Sequence, residues 1–183
     1  MINDLNYEKF FNFNCGICTF WCIACTEERP GYYEGENNWV QFYYLWPVQN
    51  PYIAPVHLPY EGYMPSLNST KLQDTVYFRL HLIGRKSNQP RKVMFESYET
   101  EMEYSYYEPA VANVNYIAFD DPLMKPYLTI PGDSAYVNIP VIVKYNPAIS
   151  SGYFQLDFKL IDTEDLVVGD TCLMKGRLKF SQW

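Results

Sequence analysis

Phe154-Gln155-Leu156-Asp157-Phe158-Lys159-Leu160 alternates strictly between apolar and polar residues. Side chains on a strand point to opposite faces with a period of two, so this stretch predicts a strand with one buried face and one wet face. The same pattern recurs in both directions along the chain. Val76, Phe78, Leu80 and Leu82 share one parity between Thr75 and Ile83, and Ala135, Val137, Ile139, Val141, Val143 and Tyr145 form a longer row. Near the C-terminus Cys172, Met174, Leu178 and Phe180 oppose Lys175, Arg177 and Lys179. Asn38 to Trp46 is apolar on both faces, as a central strand requires. Such one-sided strands belong to antiparallel sheets packed face to face.

Turn-forming residues punctuate these runs. Asn146-Pro147 and Ser150-Ser151-Gly152 join two of them, Asp120-Asp121-Pro122 and Pro131-Gly132-Asp133 break the chain again, and Ser87-Asn88-Gln89-Pro90 predicts a hairpin loop. Arg85, Lys86, Arg91 and Lys92 flank that loop and are expected at its exposed tip. Pro140 lies inside a predicted strand, which implies an edge or a bulge because proline cannot donate to the ladder. Convincing helical periodicity is absent. The expectation is one all-β domain over residues 1–183, an antiparallel β-sandwich of jelly-roll or immunoglobulin-like type with about eight or nine strands.

Composition fits that architecture. The chain has 183 residues, 48% of them hydrophobic, and 18% aromatic with 18 tyrosines. Tyrosine favours strands and surfaces that are apolar on one side and wet on the other. With 14 basic and 21 acidic residues the net charge is −7, which argues against nucleic acid and against an anionic membrane as partner. The longest nearly apolar run, Cys15 to Cys25, falls short of the ~20 residues that span a bilayer. Asp4 and Glu8 precede it against a single lysine, whereas secretion signals begin basic, so no signal peptide is expected and the chain is expected to be intracellular when made.

Two segments depart from alternation. Residues 1–36 contain Cys15, Cys18, Cys22 and Cys25, two C-x2-C pairs whose spacing suits zinc or an iron–sulfur cluster. The gap between the pairs is shorter than in ordinary zinc ribbons. Buried packing competes with metal binding, either as one stripe on a helix or divided between the faces of a strand. The second segment, residues 46–69, spaces prolines at Pro47, Pro51, Pro55, Pro59 and Pro65 among Tyr52, His57, Tyr60 and Tyr63. This predicts extended, polyproline-like chain. It lies either on its own domain as a crossover or on a neighbouring subunit as an arm, and in the second case Pro47, Tyr52, Pro55, Tyr60 and Tyr63 make the contact.

Catalytic groups are sparse. Only His57 and His81 are present, neither in a motif that names a base or a metal ligand, and no phosphate loop or nucleophile elbow occurs. Glu99, Glu101 and Glu103 form an acidic row, expected either as a solvated strand face or as a docking edge that meets a basic row such as Lys175, Arg177 and Lys179. Neither an enzyme nor a resident cofactor is expected. The sandwich patterning, the proline arm, the aromatic surface and the lack of catalytic groups together resemble, in general style, small capsid-associated or tail proteins of tailed bacteriophages. That resemblance implies a virion component, an auxiliary capsid or tail subunit that binds other protein subunits in a symmetric assembly. Two further readings stand beside it. One is a carbohydrate-binding module or adhesin using Tyr32, Tyr33, Trp39, Tyr106 and Tyr107. The other is a small metal-binding protein built on the four N-terminal cysteines.

Overall fold

The computed structural model describes residues 38–43, 59–85, 87–169 and 173–183, all within a compact unit spanning Glu36–Trp183. The strands are β1 (Trp39–Phe42), β2 (Tyr60–Glu61), β3 (Ser66–Leu67), β4 (Gln73–Ile83), β5 (Arg91–Lys92) and β6 (Met94–Ser97). They are followed by β7 (Tyr107–Pro109), β8 (Thr129–Ile130), β9 (Tyr136–Lys144), β10 (Gly152–Ile161), β11 (Val167–Val168) and β12 (Lys175–Gln182). The described residues are all-β, as alternation predicts. No helix among the described residues is long and apolar enough to cross a membrane.

The long strands fall into two sheets. The first has the order β11-β1-β4-β9, and the second β2-β12-β10-β6 with β3 beside β12 and β7 beside β10. A small pair, β5 with β8, completes the set. Antiparallel pairing joins β1 to β4, β4 to β9, β10 to β12 and β10 to β6. The short strands β2, β3, β7 and β11 add in parallel. The turn at Asn146-Pro147 carries the chain from β9 in the first sheet to β10 in the second.

The two sheets meet through rings. Phe42 and Phe78 from the first contact Phe158 of the second edge-on, with centroids 5.9 and 4.9 Å apart. Phe95 lies 6.0 Å from Phe42. Phe42, Phe78, Leu80, Phe158, Leu160, Leu178 and Phe180 are all fully buried, so the predicted apolar rows of β4, β10 and β12 face one core. Gly176 of β12 pairs with Phe158 of β10, and a Cβ there would lie 2.6 Å from Phe158 Cζ and 3.1 Å from Phe42 Cζ. The missing side chain at 176 is the space into which these rings pack.

Two expectations need correction, and one open alternative is met by part of its segment. The residues around Ser87-Asn88-Gln89-Pro90 do not close a hairpin, because β5 pairs with β8 and not with β4. Arg91 is not at an exposed tip: it is buried and donates 3.0 Å hydrogen bonds to the carbonyls of Gly132 and Ser134, while Arg85 and Lys92 are exposed. Residues 59–69 of the expected arm run along β12 of their own sheet, through β2 and β3, with Leu67 fully buried. That is the self-packed course. Pro47, Tyr52 and Pro55 lie outside the described residues, as do Lys86 and residues 44–58 generally.

Candidate interaction surface

The outer face of the second sheet is built by an interruption at the edge of β10. β12 occupies one edge of β10 along most of its length. The other edge is shared: β6 pairs with Phe158–Ile161 and β7 with Tyr153–Gln155. The chain between β6 and β7 therefore leaves the sheet plane and crosses the outer face. The Glu103 amide donates to Gln155 Oε1 at 3.1 Å. Gln155 and Asp157 have the outward parity read from the sequence, yet beneath this loop they are only 2% and 3% exposed. Where β6 and β7 fail to meet, a cleft of about 620 Å³ opens, with Ser97, Tyr98, Pro109, Ala110, Gln155 and Asp157 in its lining.

Burying a carboxylate is costly unless it is paired and hydrogen-bonded. Asp157 satisfies both conditions. Its Oδ1 accepts from Arg177 Nε at 2.7 Å and its Oδ2 from Gln155 Nε2 at 2.6 Å. The network continues outward, with Arg177 lying 3.7 Å from Glu103 and Lys179 Nζ contacting Glu103 at 2.7 Å and Glu61 at 3.1 Å. The hydrogen bond from Lys179 holds the Glu103 carboxyl below the usual carboxylate range. Burial pulls Lys179 down, but Glu103 and Glu61 together hold it above its ordinary value. Glu103 thus meets the predicted basic row inside one chain. Glu99 and Glu101 stand exposed in the loop, not on a strand as alternation suggested.

Beside the network lies an aromatic platform. Tyr107 and Tyr153 are register partners on β7 and β10, with ring centroids 5.9 Å apart. Tyr106 packs on both, at 4.9 Å from Tyr107 and 5.2 Å from Tyr153. Tyr104 stacks on Tyr106 at 5.4 Å with planes inclined by 7°. Trp183, next after β12, meets Tyr153 edge-on at 5.2 Å. Tyr107 is buried, while Tyr104, Tyr106 and Trp183 are 50%, 54% and 56% exposed. The sulfur of Met64, an exposed residue, accepts from the Tyr107 hydroxyl at 3.6 Å. The result is one surface of large rings, anchored below and open above.

The other predicted residues are placed as follows. Tyr60 is half-buried against Phe42 and Phe78, at 5.9 and 5.7 Å, and so serves the core. Tyr63 is exposed and donates to Asp74, a bond that pushes its hydroxyl up to about 12. Trp39 lies half-buried in β1. Cys15, Cys18, Cys22, Cys25, Cys172, His57, Tyr32 and Tyr33 lie outside the described residues. Among the described residues, no group of three or more His, Cys, Asp or Glu side chains is placed to hold a metal ion. Sequence reading named Tyr106 and Tyr107 but passed over Tyr104, Tyr153 and Trp183 as a joint surface. The outward parity of Tyr153 on β10 and of Trp183, continued one residue past β12, was a usable signal, and the loop that carries Tyr104 to them was not. No protein-family model, no curated protein and no solved structure matches this chain.

Proposed function

We propose that this protein is a non-enzymatic structural and interaction protein, a virion component whose aromatic platform docks onto neighbouring protein subunits. The observation that carries the reading is the exposed ring cluster of Tyr104, Tyr106 and Trp183 fixed on buried Tyr107 and on Tyr153. Tyrosine and tryptophan dominate binding energy at protein interfaces, and rings already held in place lose little entropy when a partner covers them. The flanking charges answer one another, as Lys179 does with Glu103 and Glu61, which leaves the platform's own character apolar and suited to a protein surface. In a symmetric particle each such contact can be modest, since repetition multiplies it. The virion assignment rests on the general resemblance in sequence style.

The test is a native mass spectrum under reducing conditions of the wild-type chain and of Tyr106→Ala with Trp183→Ala. A discrete multimer that the double substitution dissolves while the thermal midpoint stays put supports the proposal. Retention of the multimer in the variant would place the contact elsewhere. A sugar-binding reading is favoured by one observation, the open faces of rings beside the carboxylates of Glu103 and Glu61 and the amine of Lys179. Glycan-array binding lost with the same substitutions would select it.

A further inference from the structure

The outer face of the first sheet carries a different constellation. Arg79 and His81 alternate on β4, and Tyr136 of β9 is the register partner of His81. Tyr43 follows β1, and its amide donates to the Arg79 carbonyl at 2.8 Å. These positions bring two rings around one guanidinium. Arg79 Cζ lies 4.7 Å from the Tyr43 centroid and 4.6 Å from that of Tyr136. The two tyrosines meet edge-on at 5.1 Å, and His81 stacks on Tyr136 at 4.6 Å with planes 11° apart. Arg79 is exposed, and among the described residues no carboxylate pairs with it. A guanidinium held by its flat face keeps its N–H edge for an acceptor, and Arg with Tyr is the composition of an interface anchor.

We propose that the Arg79–His81 face is a carboxylate-binding surface that receives the Glu99–Glu101 loop of a second copy of this chain. The proposal rests on the assembly reading above and uses a surface separate from the aromatic platform. Charge complementarity selects the occupant. At −7 overall, two copies repel unless a cation on one answers an acid on the other. Glu99 and Glu101 are exposed, and neither has a cationic partner among the described residues, whereas Glu103 in the same loop is held by Lys179. The loop lies over the outer face of the second sheet, and Arg79 on the outer face of the first, so one molecule presents the acid on one side of the core and the clasped cation on the other. Contact between unlike patches is heterologous, and it closes into a ring or runs on as a filament.

The experiment is a charge swap on the full chain, read as the association constant from sedimentation or native mass spectrometry at low and at high salt. Arg79→Glu alone, and Glu99→Lys with Glu101→Lys, should each weaken self-association on the order of tenfold or more. The combined variant should recover it, and added salt should weaken the wild type. Arg79→Gln, which removes the charge without reversing it, guards against a misfolded reversal, with the thermal midpoint as control. Association unchanged by Arg79→Glu and by Arg79→Gln overturns the proposal, as does a combined variant no better than its parents. Self-association lost with Tyr106→Ala and Trp183→Ala but indifferent to Arg79 would sink this contact and leave the platform reading standing. A chain that stays monomeric at every concentration and salt also overturns it.

Discussion

His81 is one of only two histidines in the chain. Its outward parity on β4 was legible from alternation. Its clamp was not, because Tyr43 and Tyr136 arrive from other strands and only pairing brings them together. Burial lowers its pKa from the ordinary value, and the neighbouring Arg79 charge lowers it further. The folded chain therefore resists a proton that the unfolded chain accepts near ~6.5. His81 takes nothing from stability above that pH, and its unfavourable contribution develops as pH falls from the unfolded value through the lower folded one. Arg79→Gln should raise the His81 pKa part of the way back, since burial remains, and an imidazole proton titration by NMR measures this directly. A His81 pKa that stays put in Arg79→Gln would mean that the guanidinium is not near the imidazole in solution.

At the scale of elements, β9 shows why Pro140 fits where it stands. The Leu82 amide donates to Ala135 O and the Tyr145 amide to Leu72 O, so the odd residues of β9 bond toward β4. Ile142 and Lys144 bond the opposite way, to Ile117 and Asn115, and Pro140 shares their parity. Its nitrogen thus faces the open edge, as sequence reasoning required of a proline in a strand. Exchanging the two neighbours, Pro140→Val with Val141→Pro, keeps composition but aims the imino nitrogen at β4. It should lower the urea midpoint by the equivalent of about 1 kcal/mol or more, while Pro140→Ala alone stays within about 1 kcal/mol. The loop over β10 is the converse case. Glu99, Glu101 and Glu103 alternate with Tyr98, Thr100, Met102 and Tyr104, and alternation alone predicted a strand. The segment is a loop because β6 and β7 take the edge of β10 on either side of it, a long-range fact that no local pattern carries. Asp157 beneath it looked like an ordinary wet-face residue for the same reason. Asp157→Ala leaves the half-buried Arg177 without its nearest partner and Gln155 Nε2 without its acceptor, and should destabilise by roughly 1–3 kcal/mol. Hydrogen exchange at the Glu103 amide should accelerate ahead of exchange in β4. Uniform exchange across both sheets would show that the loop and the core melt together.

Considered as a whole, the unit Glu36–Trp183 has two main sheets that share one set of rings. Phe158 of the second sheet touches Phe42 and Phe78 of the first, Phe95 of its own sheet, and Phe119 from the connection between β7 and β8. Neither sheet has a private core to fall back on. Each apolar row was legible in the sequence, yet which row faced which was not, because facing is decided by the crossing of the chain from β9 to β10 and by the gap left at Gly176. Phe158→Ala removes the shared centre and should cost about 3–5 kcal/mol, the range for emptying a buried aromatic site. The loss should be felt by both sheets at once. Amide hydrogen exchange followed against denaturant reports the first sheet at β4 and the second at β10. In wild type and variant alike, the two transitions should coincide. Separate midpoints would mean that the sheets are held by contacts local to each, and the rings between them would then be neighbours without being a common core.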